Sequence, residues 1–204
     1  MTFKPTIIKI VLTALAVSTA IAGAEVGKTA PGFTLKDPMG ISVSLDDFKG
    51  KFVVLEWINY DCPFVKKHYN SGNMQMLQTK YTEQGVVWLA ICSSAEGKQG
   101  NFTTKEILTR SRDHKAAFSL YLLDESGAVG KAYDAKTTPH MFIIDPDGKL
   151  VYAGGIDDIR STNVEDISRA KNYVSAALDA ALAGRAIGTT TSKPYGCSVK
   201  YAKK

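Results

Sequence analysis

Apolar and polar positions along the chain follow a pattern that predicts an α/β fold. Two continuous apolar runs, residues 52–58 and 86–92, have the length and the β-branched and aromatic content of strands that are buried on both faces. Between them, apolar residues recur at helical spacing over residues 74–84, and Gly85 marks the end of that helix. Two strands joined in this way form a right-handed βαβ unit, so we expect a parallel pair.

The flanking segments extend this pair into a mixed sheet. Residues 30–35 and 41–45 predict a hairpin ahead of the first buried strand. After the second buried strand, the pattern predicts a helix over residues 104–114, a strand over 119–123, a short helix over 129–133, a hairpin over 141–144 and 150–153, and a final helix over 170–183. The expected fold is a mixed central sheet flanked by helices, with an N-terminal hairpin and a C-terminal tail.

Cys62 lies where the first buried strand and a short turn give way to a helix. Asp61 is placed to cap this helix, and Pro63 is tolerated in a first turn because its missing N–H has no partner there. Free backbone N–H groups at a helix start favour a thiolate over a thiol, and the nearby Lys66 adds positive charge, although Asp61 opposes it. A packing cysteine is the structural alternative, but the position predicts a reactive one.

With Thr137-Thr138-Pro139 placed before another apolar run, these features resemble the thioredoxin-like superfamily. The spacing is most similar to its peroxiredoxin-like redoxin branch, which includes alkyl hydroperoxide reductase and thiol-specific antioxidant proteins. The resemblance implies a thioredoxin-like fold. It places Cys62 at the first cysteine of the Cys-x-x-Cys pair, Glu56 at the buried acid of thioredoxin, and Pro139 at the cis-proline that packs against the active-site sulfur.

The sequence departs from both branches of this superfamily at the active site. Val65 stands where thioredoxin has the second cysteine of its pair. True peroxiredoxins have their peroxide-attacking cysteine at that position, with Thr three and Pro seven residues before it. Aligning Val65 with that cysteine puts Cys62 and Ile58 at the Thr and Pro positions, and aligning Cys62 puts Asn59 and Leu55 there. Neither alignment reproduces the peroxidase pattern.

Glu56, Pro139 and His140 are further candidate site residues. A carboxylate inside an apolar run is costly unless it is protonated, paired or hydrated, so we expect a raised pKa for Glu56. The resemblance implies that Glu56 carries protons to and from the sulfur; a lysine-paired acid is the alternative. It also implies that Thr138 and a cis Pro139 offer a backbone edge against which an extended partner pairs. His140 either tunes the thiolate, binds a metal, or is a sheet histidine.

Two cysteines compete as the disulfide partner of Cys62. Cys197 lies in the tail and supplies a resolving sulfur if the tail folds back across the sheet edge. Cys92 ends the neighbouring strand, although a small buried hydrophobic side chain at a strand end is the favoured interpretation there. Three cysteines in an exported chain are too few for a disulfide scaffold, and an odd count leaves one thiol unpaired in a monomer. His68 is expected to be structural or exposed, and His114, in the charged run over residues 110–115, is expected to lie at a solvated helix end.

The first residues indicate export. Lys4 and Lys9 precede an apolar stretch over residues 10–22, and Ala22-Gly23-Ala24 fits a cleavage site, so residues 1–24 read as a signal peptide. An uncleaved membrane anchor is the alternative. We expect residues 25–188 to form one domain and 189–204 a tail, in a secreted or periplasmic protein. The formal net charge of +5 without a basic stripe does not indicate nucleic-acid binding.

The leading functional hypothesis is an exported thiol oxidoreductase. Cys62 attacks a partner disulfide, or is oxidised to a sulfenic acid, and Cys197 or an outside thiol resolves it. A peroxide-scavenging antioxidant is an alternative. Two non-enzymatic alternatives are a copper-binding protein that uses Cys62, His140 and Cys197, and a redox-inactive module that holds peptides at Pro139. The enzyme hypotheses require no cofactor; they expect a thiol, a disulfide or peroxide as partner and leave the oligomeric state open.

Overall fold

The computed structural model describes residues 23–202, so residues 1–22 of the predicted signal peptide lie outside the described part. The strands are β1 (Thr34–Lys36), β2 (Ser42–Ser44), β3 (Val53–Trp57), β4 (Val87–Cys92), β5 (Leu120–Leu123), β6 (Thr137–Thr138), β7 (His140–Ile144), β8 (Leu150–Gly154) and β9 (Cys197–Ser198). The α-helices are α1 (Pro63–Asn70), α2 (Asn73–Thr82), α3 (Thr104–Asp113), α4 (Ala128–Ala132) and α5 (Tyr173–Leu182), and 3₁₀ helices cover Leu45–Phe48 and Val164–Arg169.

The strands form a seven-stranded sheet in the order β2-β1-β5-β4-β3-β7-β8 and a separate two-stranded sheet of β6 and β9. The central strands β3, β4 and β5 are parallel, which confirms the predicted βαβ unit. β7 and β8 add an antiparallel hairpin on one side, and the β1–β2 hairpin pairs antiparallel with β5 on the other. The predicted mixed sheet with an N-terminal hairpin is confirmed.

Alternate residues of β3 enter two separate cores, one on each face of the sheet. Val54 packs in the core formed with α1, α2 and α5, whereas Val53, Leu55 and Trp57 pack in the core formed with the N-terminal segment and α4. Every residue of β3 and β4 is buried, as the two apolar runs predict. The carboxyl end of β3 leads into α1, and this end of the sheet carries Cys62.

The helix that follows Cys62 is interrupted, and the final helix starts later than predicted. The interruption lies at Gly72, which adopts a positive φ of 76° between α1 and α2. The final helix begins at Tyr173 and not at residue 170, because Asn172 caps it with its side-chain oxygen 2.9 Å from the N–H of Ser175. The preceding residues form the 3₁₀ helix Val164–Arg169.

The C-terminal tail is docked on the domain. The backbone N–H of Ala153 in β8 donates to Thr190 (3.1 Å), and the carbonyl of Ala153 accepts from Ser192 (3.2 Å). Farther along, β9 pairs antiparallel with β6, and Tyr195 is buried. The tail therefore crosses the edge of the sheet at the end where Cys62 lies. Within residues 23–202, no helix has both the length and the apolar character needed to cross a membrane.

Candidate active site

Cys62 occupies the N-cap position of α1, with Pro63 as the first helical residue. Its side chain is fully buried, and Sγ donates a hydrogen bond to the backbone carbonyl of Thr138 at 3.0 Å. The Thr138–Pro139 peptide bond is cis, as the resemblance implies. The backbone amides at the start of α1, which were expected to bond the sulfur, do not do so: Cys62 forms no side-chain capping hydrogen bond. The thiol is held by the carbonyl that precedes the cis-proline.

Asp61 and Lys66 do not act on α1 and Cys62 as predicted. Asp61 does not cap α1; its carboxylate accepts from Arg110 at 2.8 Å, a partner on α3. Lys66 is exposed to solvent, and its contact with Cys62 is the ordinary helical hydrogen bond from its N–H to the Cys62 carbonyl. A partner from a distant helix thus replaces a local capping bond.

Cys197 lies against Cys62. In the β6–β9 pair, Cys197 is directly opposite Thr138, the residue whose carbonyl holds Cys62. Burial, a hydrogen bond with Cys62 and the charge of an ionised Cys62 raise the pKa of the Cys197 thiol to about 12. Both residues are free thiols, with Cys62 buried and Cys197 partly exposed. The raised pKa disfavours ionisation of the Cys197 thiol while it lies against Cys62.

Gly196 explains how the tail approaches so closely. It adopts φ +145°, and a Cβ at this position would overlap the carbonyl oxygen of Thr138. A larger residue would lift the tail away from β6, so glycine is required directly before Cys197. The Thr138 hydroxyl oxygen is buried and has no hydrogen-bond partner among the described residues, which leaves an unsatisfied polar group in the strand that carries the site.

Cys92, the competing partner, is occupied elsewhere. Its thiol donates to the carbonyl of Gly100 at 3.2 Å, and it also hydrogen-bonds Tyr121. Cys92 is buried in the core beneath the sheet edge. The structure brings Cys197, and not Cys92, to the Cys62 sulfur.

Glu56 is fully buried in β3 and accepts three hydrogen bonds. The donors are Trp88 Nε1 at 2.8 Å, Gln78 Nε2 at 3.0 Å and Tyr69 Oη at 3.1 Å. Burial raises the pKa of Glu56 to about 7, and the three hydrogen bonds partly oppose that rise. The raised pKa is confirmed, and its partners are neutral side chains in place of the alternative lysine. Glu56 and Cys62 face the same core, and the proton-carrier role stays a prediction.

His140 does not join the two cysteines. It is paired with Trp57 across β3 and β7 and packs on Phe142 at 4.3 Å between ring centroids, so it faces the opposite core from Cys62. Its Nδ1 accepts from the N–H of Lys136 at 3.3 Å, and burial lowers its pKa to about 4. Among residues 23–202, no three His, Cys, Asp or Glu side chains are grouped to hold a metal ion. The copper set of Cys62, His140 and Cys197 is not assembled.

A buried polar network, absent from the sequence-based expectations, anchors the tail. Lys67 Nζ pairs with Asp157 at 3.4 Å and donates to the carbonyl of Ile159 at 2.8 Å, with both charged side chains buried. The Tyr195 hydroxyl lies 2.5 Å from Asp157, 3.1 Å from His68 Nε2 and 3.4 Å from Lys67 Nζ. Burial lowers the pKa of His68 to about 3, so its ring is neutral.

The periodicity of α1 predicts one part of this network, the burial of His68. Val65, His68 and Tyr69 recur at helical spacing and are all buried, so His68 has a structural role. His114, predicted to lie at a solvated helix end, instead stacks on Tyr60 at 5.0 Å, and partial burial lowers its pKa. That expectation was wrong because Tyr60 and His114 lie on distant segments that meet only in the folded protein.

Comparisons with known proteins identify the family of this chain. Residues 25–173 match the Redoxin family. Thiol-disulfide oxidoreductase ResA of Bacillus thuringiensis subsp. konkukian is 31% identical over 127 residues, which cover 62% of this chain and 68% of ResA. Peroxiredoxin Bcp of Escherichia coli K12 is 29% identical over 157 residues, which cover 70% of this chain and 92% of Bcp. An uncharacterized conserved protein from Geobacillus kaustophilus has a solved structure with a TM-score of 0.74, 34% identity, and coverage of 88% of this chain and 94% of that one.

The Redoxin match ends before Tyr195 and Cys197, so the tail that meets Cys62 lies beyond it. The match nevertheless spans well over half of the sequence and includes β3, Cys62 and the cis-proline. The chain therefore belongs to the Redoxin family of the thioredoxin-like superfamily, as a thiol oxidoreductase or a peroxiredoxin-like protein.

Proposed function

We propose that this protein exchanges disulfides with a partner through a redox couple formed by Cys62 and Cys197. The observation that carries the proposal is the β6–β9 pairing, which sets Cys197 opposite Thr138 while the Thr138 carbonyl holds Cys62. Cys197 thus supplies the second sulfur that is missing at Val65. The similarity to a protein named thiol-disulfide oxidoreductase supports the same chemistry.

The proposed reduction runs in two exchange steps. The Cys62 thiolate attacks one sulfur of the partner disulfide, forms a mixed disulfide and releases one partner thiolate. The Cys197 thiol then loses its proton and attacks the Cys62 sulfur, which forms the Cys62–Cys197 disulfide and releases the second partner thiolate. Two electrons pass to the partner, and its two sulfurs take up the two thiol protons. An external dithiol restores both cysteines by the reverse steps.

A partner reaches Cys62 only when the tail moves. Cys62 is fully buried with β9 on β6, and the edge of β6 is already paired with the chain's own residues. When β9 leaves, β6 becomes a free edge beside the sulfur, and an extended partner segment can pair with it. The partner class that this geometry suits is a protein or peptide with a disulfide in an extended segment.

Peroxide reduction has less support. It requires hydrogen-bond donors that polarise the O–O bond next to the attacking sulfur. Asn59, three residues before Cys62, uses its amide oxygen on the N–H of Asp61 at 2.9 Å and its amide nitrogen on the carbonyl of Gln99 at 3.3 Å. These contacts leave Asn59 engaged away from the sulfur and favour disulfide exchange.

We also propose that the protein works outside the cytoplasm. The basic start, the apolar stretch over residues 10–22 and the small residues before Glu25 support a cleaved signal peptide. A stable disulfide couple suits an oxidising compartment. The mass of the protein recovered from cells, with or without residues 1–24, tests this proposal.

Oxidation with glutathione disulfide tests the redox couple. After alkylation of the remaining thiols, peptide mapping is expected to show a Cys62–Cys197 link and a free Cys92. Three free thiols, or a link through Cys92, would refute the couple. A Cys197→Ser variant is expected to accumulate a mixed disulfide at Cys62 with a model peptide disulfide. Faster oxidation of Cys62 by hydrogen peroxide than by the peptide disulfide would instead support a peroxidase.

A further inference from the structure

The Tyr195 hydroxyl hydrogen-bonds three buried side chains beneath the tail. It donates to Asp157 at 2.5 Å and accepts from His68 and Lys67 at 3.1 and 3.4 Å. A phenol oxygen has one donor and two acceptor positions, so all three are in use. Lys67 likewise places its three N–H groups on Asp157, the Ile159 carbonyl and Tyr195.

The tautomer of His68 follows from the same contacts. Because the Tyr195 proton goes to Asp157, His68 must donate from Nε2 to the hydroxyl oxygen. Its Nδ1 is then the acceptor for the side-chain amide of Asn73 at 2.9 Å. Every polar atom that faces the hydroxyl therefore has a defined role, and tyrosine is the residue that completes the set.

When the tail is undocked, this pocket keeps its charges but loses the hydroxyl. Lys67, His68 and Asp157 have side chains that are at most 2% exposed, and each would lose one hydrogen-bond partner until water entered, while the Lys67–Asp157 ion pair stays in place. Unpartnered buried groups, charged ones above all, are costly. The pocket therefore adds to the β6–β9 pairing in favouring the docked tail.

Two of the three pocket residues lie on the same helix as the Cys62 sulfur. Cys62 is the N-cap of α1, and Lys67 and His68 lie in its later turns. On the tail, Tyr195 precedes Cys197 by two residues, with Gly196 between them against the Thr138 carbonyl. Docking of the phenol consequently fixes the position of the Cys197 thiol relative to Cys62.

We propose that Tyr195 is a positioning residue: its docking in the Lys67–His68–Asp157 pocket holds Cys197 against Cys62 and closes Cys62 to partners until the tail is released. This inference rests on the proposed Cys62–Cys197 couple and specifies how access to that couple is controlled. The reduced protein keeps Cys62 covered, and a partner binds productively to the fraction whose tail is open.

Iodoacetamide labelling measures the fraction of molecules whose tail is open. The rate at which Cys62 is labelled is determined in the fully reduced chain that contains the whole domain and the tail. Tyr195→Phe keeps the ring and removes the hydroxyl, so we expect Cys62 labelling to become roughly tenfold faster. Cys92, a second buried thiol that is bonded to the Gly100 carbonyl, is the internal reference and is expected to keep its wild-type rate. Tyr201→Phe is the matched control, because its hydroxyl makes a single bond to the Ala135 carbonyl and its loss is expected to change the rate about threefold at most.

Equal Cys62 labelling in wild type and Tyr195→Phe would overturn the inference, and so would a parallel rise at Cys92, which would report general loosening. Asp157→Asn removes, from the domain side, the negative charge that accepts the Tyr195 proton and pairs with Lys67; a rise at Cys62 alone is expected there too. If wild type forms no Cys62–Cys197 disulfide with glutathione disulfide, the proposed couple fails. If that disulfide forms and Tyr195→Phe labels like wild type, only the positioning role fails.

Discussion

Replacing Glu56 by glutamine is expected to remove a large pH dependence from the stability of this protein. The carboxyl is fully buried, and burial raises its pKa from 4.5 to about 7. The folded protein therefore retains a proton between these values that the unfolded chain has lost. Stability from this group is fully present below pH 4.5 and is lost as pH rises through 7.

The size of the effect follows from the shift. At about 1.4 kcal/mol per pH unit, a rise from 4.5 to about 7 corresponds to a loss of about 3 kcal/mol at alkaline pH. Glutamine resembles the protonated acid and fits the same partners. Its oxygen can accept from Trp88 and Gln78, which both bond Oε2, and its amide takes the position of Oε1 beside the Tyr69 hydroxyl, where the protonated acid also carries its hydrogen.

Urea unfolding of the reduced proteins between pH 4 and 9 measures this difference. We expect wild type and Glu56→Gln to be similar near pH 4.5, and the variant to be more stable by about 3 kcal/mol at pH 9. The buried His68 and His140 also titrate in the acid range, but they are common to both proteins and cancel in the comparison. Two stability curves that run parallel over the whole range would refute the assignment of a neutral buried acid.

Three further outcomes are expected. Gly196→Ala places a Cβ against the Thr138 carbonyl at a positive φ, and we expect it to lower the yield of the Cys62–Cys197 disulfide at a fixed glutathione ratio by roughly tenfold or more. Gly188→Ala is the control, because its Cβ would meet no atom within 4 Å. An equal yield in both variants would contradict the close approach of the tail. Asn172→Ala removes the cap of α5 and is expected to cost about 1 kcal/mol in urea unfolding, with no change in disulfide yield. Cys92→Ser keeps a donor to the Gly100 carbonyl and is expected to form the Cys62–Cys197 link at the wild-type yield by peptide mapping, whereas loss of the link would make Cys92 a participant.

The sheet and the place of Cys62 could be read from the sequence because their signals are local. The runs over residues 52–58 and 86–92 are long, apolar and bounded by turns, and they are the buried strands β3 and β4. Cys62 and Pro63 follow the first run directly, so the helix start is determined within a few residues. The hairpin and the short helices depend on similarly local patterns.

The contacts around the sulfur could not be read in the same way because they join distant segments. Asp61 has the local chemistry of a cap, but Arg110 from α3 takes its carboxylate. Lys67 stands in a basic run that is typical of an exposed helix face, and its burial depends on Asp157 and on the tail. The pairing of Cys197 with Cys62 was one of two open possibilities, and the docking of β9 on β6 decides between their positions.

Cys197 lies far from Cys62 along the chain, so a bond between the two sulfurs would close a covalent ring that contains β4, β5, β7 and β8, four of the seven strands of the sheet. A ring of roughly 100 residues or more restricts the unfolded chain by about 5 kcal/mol in the entropic description. A Cys-x-x-Cys pair closes a ring of a few residues and restricts the unfolded chain far less. In this protein, resistance to heat would therefore rise and fall with the redox poise of the surroundings, and melting temperature alone would report which form is present.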